Sequence, residues 1–140
     1  METTELAVRT GGEQRVVDLT AQVQDALDGW EAGDGLLSVF VPHATAGLAV
    51  LETGAGSDED LLRALAQVLP SAGPQERGWR HAHGSPGHGR DHVLPALVSP
   101  SLVVPVLRGR PALGTWQSVC LVDTNVDNAD RRVRLSFLPG

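Results

Sequence analysis

The feature that most constrains this chain is the run Leu36-Leu37-Ser38-Val39-Phe40-Val41, closed by Gly35 on one side and Pro42 on the other. The run is too short for an ordinary helix, and its nearly continuous apolar character suits a strand buried on both faces. Such a strand needs cover above and below, so the run predicts the central strand of a sheet within a layered core. At 140 residues the chain is the size of one domain, enough to bury about two-thirds of its unfolded surface. With 41% apolar and 20% charged residues, it can build a core without metal or disulfide. Three Trp, two Phe and no Tyr leave aliphatic side chains to fill that core.

Around this strand the periodicities predict the other elements. Glu5 to Val8 and Arg15 to Leu19 read as two short strands joined through Gly11-Gly12 in a hairpin. Thr20 is placed to cap a helix reaching about Trp30, with Val23, Ala26, Leu27 and Trp30 on one face. Leu48 to Leu51 predicts another strand. Ser57, with Asp60 three residues on, has the capping-box pattern of a second helix. Its apolar face is Leu61, Leu62, Leu65 and Leu69, and it ends before Pro70. From Ser71 to Asp91 periodicity vanishes, and a loop that long in a small domain is usually functional or disordered. Val93 to Val98 predicts a helical turn broken by Pro95. Leu102 to Leu107, Gly114 to Val122 and Arg131 to Leu138 predict an antiparallel meander, with turns at Arg108-Gly109-Arg110 and near Asn125 to Asp130. The whole is one α+β domain over 1–140, a largely antiparallel β-sheet sandwich with two main helices on one side.

Charge narrows the function. The formal net charge is −6 and there is no Lys, which argues against a nucleic-acid surface. Small Arg groups at Arg108/Arg110 and Arg131/Arg132/Arg134 keep a phosphorylated small molecule open as a partner. Cys120 is the only cysteine, so neither an internal disulfide nor an all-thiolate zinc site can form; its apolar neighbours predict a buried core residue. No apolar stretch reaches bilayer-spanning length and no leader pattern opens the chain, so the expected location is cytoplasmic, away from membranes.

The chemistry concentrates on histidine. Pro42-His43-Ala44-Thr45-Ala46-Gly47 follows the buried strand directly and would emerge at a strand end among small residues. His81, His83, His88 and His92 fall in or beside the aperiodic segment. Imidazoles gathered near a carboxylate can bind a first-row metal, and three neutral imidazoles plus water form a known catalytic zinc arrangement. The spacing matches no strong zinc signature, and a solvated His-rich loop is the alternative. Trp116, between polar neighbours after a glycine turn, reads as a core cap or the wall of a pocket. Glu52 and Asp60 are candidate carboxylates, although the helix start already accounts for Asp60.

Taken together, Leu36 to Leu51 with its His43-Ala44-Thr45-Ala46-Gly47-Leu48 motif, the pair Trp79 and His81, His92, the string Leu113-Gly114-Thr115-Trp116-Gln117, and the final Arg131-Arg132-Val133 resemble the YjbQ family, also described as secondary thiamine-phosphate synthase enzymes. The resemblance covers nearly the whole chain. It implies a compact α+β fold assembled as a homotrimer, with a pocket that can hold a divalent metal ion: zinc first, magnesium or manganese also open. It carries metal ligation and catalysis to His43, His81 and His92, with Asp60 as a further catalytic group and Thr45, Glu52, Trp116 and Gln117 against the ligand. The activity it implies joins the pyrimidine and thiazole halves of thiamine phosphate with release of pyrophosphate. A non-catalytic trimeric module for metal or small anions, and a metal-dependent phosphate or ester hydrolase, are the alternatives. This chain departs from the family at Ala44, where relatives carry a second hydroxyl residue, in Leu51-Glu52-Thr53-Gly54-Ala55, and at Arg90.

Overall fold

The structure, a computed structural model, describes residues 1–71, 78–81, 83 and 87–140. Two antiparallel sheets form its frame. The larger contains β1 (Glu2–Arg9), β3 (Gly35–Phe40), β5 (Ser101–Leu107), β6 (Arg110–Pro111) and β8 (Asp130–Pro139), in the order β1-β8-β3-β5-β6. The smaller has β7 (Ser118–Asp123) between β2 (Arg15–Asp18) and β4 (Ala46–Leu51). The α+β antiparallel sandwich read from the sequence is therefore the observed fold.

The inner faces of both sheets share one aliphatic core. Leu37 and Val39 of β3, Val104 and Val106 of β5, Val133, Leu135 and Phe137 of β8, and Val119 and Leu121 of β7 meet there, joined by Val23 and Leu27 of α1 (Thr20–Gly29). A second cluster covers the opposite face of the smaller sheet, where Leu65 of α2 (Ser57–Val68), Leu69 and Leu94 pack on Val122. Leu94 opens α3 (Leu94–Leu97), in which Pro95 does not break the turn. It sits in the first turn, where a missing N–H costs nothing.

Several local expectations change. The strand buried on both faces is β7, not β3. Along β3 only alternate residues are buried, and Leu36 and Phe40 face outward. In β7 every residue from Val119 to Asp123 is buried, because core lies on one face and α2 on the other. The hairpin at Gly11-Gly12 does not form, since β1 pairs with β8 and β2 with β7 in separate sheets. The C-terminal meander is broken likewise: β7 leaves the larger sheet and β8 returns to it. Among the described residues only β5 and β6 close a hairpin, through Arg108 and Gly109 at positive φ. Thr20 does not cap α1; the Asp18 carboxylate accepts the Thr20 N–H, and the Thr20 hydroxyl accepts the Val119 N–H. Ser57 is the first residue of α2 and makes no cap bond. Cys120 is buried as expected, and burial pushes its thiol up to about 12, which leaves it unreactive.

One glycine in the His43 motif has a packing reason. A Cβ on Gly47 would run into the Val98 carbonyl, where the chain leaving α3 crosses β4. Leu48 N–H donates to Ser99 O at 2.7 Å at this crossing, so neither backbone can yield freely. Gly47→Ala is expected to lose at least about 1–3 kcal/mol of stability. Urea unfolding checks this, and an unchanged midpoint would refute the crossing as a constraint.

Candidate functional site

The aperiodic stretch ends in a 3₁₀ turn, Gly89–His92, lying between Trp79 and α3. Gly89 permits this packing because a Cβ there would meet Trp79 Cβ at 2.5 Å. Trp79 is half-buried in the second cluster, and its indole N–H donates to Pro70 O at 2.9 Å, which fixes the strand of chain carrying His81.

Four imidazoles then come into contact. The rings of His81 and His92 stack with centroids 3.9 Å apart and an interplanar angle of 22°. His81 meets His83 at 4.1 Å and His88 at 5.2 Å, while His88 and His92 lie 5.5 Å apart. Nε2 of His81 and Nε2 of His83 are 2.9 Å apart, a distance that requires one to donate and the other to accept. His81 and His92 both titrate below the ordinary value of 6.5, first through loss of solvation and then through the neighbouring rings; Asp91 opposes this at His92. Neutral imidazoles are the form a metal binds.

One ligand atom from each of His81, His88 and His92 lies within 4.8 Å of the others. A tetrahedral zinc with Zn–N bonds of about 2.0–2.1 Å would bring such atoms to about 3.3 Å apart. His81, His88 and His92 would therefore have to draw closer to hold such an ion, and imidazole donors are of the kind that suits a borderline divalent one.

Behind the rings is a buried polar network. Asp91 accepts from Thr124 Oγ1 at 2.6 Å and from Asn125 Nδ2 at 3.1 Å, with Arg90 Nε 3.5 Å away. Arg90 also donates to Leu69 O at 3.1 Å. A cavity of about 160 Å³ opens beside His88, Asp91, Thr124 and Asp127.

The other predicted residues are placed differently. His43 is not in the three-histidine group: its Nε2 accepts the Arg132 backbone N–H at 2.9 Å, and burial followed by the Arg131 charge lowers its pKa. His88, to which the resemblance gives no role, stands in that group with His81 and His92. Asp60 is exposed and pairs with Arg63 at 3.0 Å rather than with a histidine or a cap site. Glu52 follows β4 and is likewise outside the group. Thr45 is buried and accepts from Arg131 Nη2 at 2.9 Å. Trp116 is 74% exposed, and the Gln117 side chain accepts the Gly114 N–H at 2.7 Å. Of the Arg groups, Arg131 is buried against Asp123, while Arg132 and Arg134 reach Glu5. The sequence reading also missed Thr124, Asn125 and Asp127. Their signal is a polar string directly after the most buried strand.

The string Leu113 to Gln117, the Trp79/His81 pair and this fold now stand together, and a family model described as "UPF0047 protein YjbQ-like" matches residues 4–140. The chain belongs to the YjbQ family. Within this family, UPF0047 protein Rv2556c of Mycobacterium tuberculosis is 56% identical over 140 residues, covering 100% of both chains. The UPF0047 protein of Archaeoglobus fulgidus is 32% identical over 119 residues, 85% of this chain and 88% of its own. The crystal structure of hypothetical protein APE1520 from Aeropyrum pernix K1 has a TM-score of 0.88 at 32% identity, with both chains covered fully. No helix among the described residues is long and apolar enough to cross a membrane.

Proposed function

We propose that this YjbQ protein is a metal-dependent enzyme acting on a phosphorylated small molecule, with thiamine-phosphate formation as its specific reaction. The observation that carries the metal site is the approach of His81, His88 and His92 donor atoms to within 4.8 Å. Like-charged when protonated, three such rings gather at low cost only if they stay neutral, and a divalent ion rewards that arrangement. Zinc suits the imidazole donors best. Bound there, the ion supplies Lewis-acid stabilisation of a leaving pyrophosphate. The chain's own part is to favour the neutral form of His81 and His92 and, through Arg80 next to His81, to offer a solvent-exposed cation for phosphate. His43 and Asp60 have no role at the metal in this reading.

A second reading, a metal or anion module without turnover, is favoured by Asp91. This buried carboxylate beside His92 is committed to Thr124 and Asn125 and is not placed as a free base. Self-assembly as a homotrimer is supported by the outward apolar row Leu36, Phe40, Val103, Leu107 and Leu138 on the larger sheet. The test is to load metal-free protein with zinc, measure its stoichiometry and mass in solution, and assay it with both thiamine-phosphate precursors. Stoichiometric zinc, trimer mass and zinc-dependent product are expected. Zinc without product supports the second reading, and no zinc retention refutes both.

A further inference from the structure

Resting on that metal reading, the geometry points to Asp127 as the positioning residue that orients His88 for the ion. His88 Nδ1 and Asp127 Oδ2 are 3.1 Å apart. An Nδ1–H donated to this carboxylate puts the His88 lone pair on Nε2, the tautomer that carboxylate-supported metal ligands use.

What distinguishes this contact from an ordinary surface pair is that it closes a ring. The His88 backbone carbonyl accepts the Asp91 N–H at 3.0 Å. The Asp91 carboxylate accepts from the Asn125 side-chain amide at 3.1 Å, and Asn125 Oδ1 accepts the Asp127 N–H at 3.0 Å. Asp127 then returns to His88. Two members of the ring, Asp91 and Asn125, are buried, so the ring is anchored in the protein rather than in solvent. Asn125 is anchored further by its own N–H, which donates to Asp123 Oδ1 at 3.0 Å. The β7–β8 connection thus fixes both the backbone and the ring plane of His88. The His88 side chain is 12% exposed and Asp127 is 47% exposed, so the carboxylate can be removed at the surface without opening the core. The Asp127 backbone bond to Asn125 survives substitution.

The test compares Asp127→Ala, Asp127→Asn and His88→Ala with the unaltered protein. Zinc alone is titrated in competition with a chromophoric chelator, and urea unfolding of each metal-free protein controls for the fold. Asp127→Ala is expected to weaken zinc binding about 10–100-fold with an unchanged unfolding midpoint. Asp127→Asn, whose amide oxygen can accept the same N–H, is expected to recover most of that loss. Unchanged affinity in Asp127→Ala, with a large loss in His88→Ala, overturns the role of Asp127 and leaves the metal site standing. Equal losses in the Ala and Asn variants overturn positioning as the cause. Unchanged affinity in His88→Ala overturns the metal site itself.

Discussion

Asp123→Ala should cost about 3–5 kcal/mol of stability, the largest effect expected of any single substitution outside the apolar core. Asp123 is fully buried and the Arg131 side chain is 2% exposed. Two bonds join them, Arg131 Nε to Oδ2 at 2.6 Å and Nη2 to Oδ1 at 3.0 Å, and the same Nη2 donates to Thr45 at 2.9 Å. Truncating the acid strands the guanidinium among core residues with no way to reach water or to lose its proton. Against a total stability of about 5–15 kcal/mol for a domain, this is roughly a fifth or more. The double change Asp123→Leu with Arg131→Met should be far milder, because no charge is left unpaired. Urea unfolding of the two variants beside the parent decides the matter. A single Asp123→Ala within about 1 kcal/mol of the parent would mean that water reaches Arg131 after all.

His92→Ala should move two observables in opposite directions. Its ring stacks on His81 and neighbours His88, so removal takes away one of three donors. Zinc affinity should fall by more than the roughly 100-fold that loss of a supporting residue costs. The metal-free protein should respond the other way. His81 and His92 have folded-state pKa values below their ordinary 6.5, so the unfolded chain binds more protons in the interval beneath that value. Stability is then full above 6.5 and declines as pH falls from there towards the depressed values. Deleting His92 removes its own contribution and one repelling neighbour of His81, so the decline should become shallower. Thermal unfolding in chelator between about pH 7.5 and 5 measures the slope. An equal or steeper acid slope in the variant would refute the account of the cluster as mutually repelling rings.

The elements legible in the sequence were those set by local pattern. Leu61 to Leu69 and Val23 to Leu27 specify helical faces wherever they dock, and Gly35 and Pro42 bracket β3 in any fold. Partnership is not local. Nothing within Arg15 to Asp18 says that β7 is its neighbour rather than β1, and the polar residues of β3's neighbours decide nothing about which strand lies innermost. The site divides the same way. His81 and His92 were recoverable from their surroundings, and the spacing of His88 and His92 was visible, but the fold alone shows that a short turn brings them together. His43 follows the most apolar run in the chain, and proximity to that run carried no information about the backbone N–H of Arg132 that occupies its ring nitrogen.

The placement of β8 has a consequence for synthesis. Residues 130–139 form the strand between β1 and β3, so β1 has no sheet partner until they exist. At about 5–20 residues per second, the interval from Arg9 to Asp130 leaves β1 waiting roughly 6–25 s on a growing chain. An apolar strand held open that long would invite pairing with other nascent chains. β1 instead shows Glu2, Thr3, Glu5 and Ala7 to solvent. The polarity of the first strand suits a segment that must remain harmless while the rest of its sheet is still being translated.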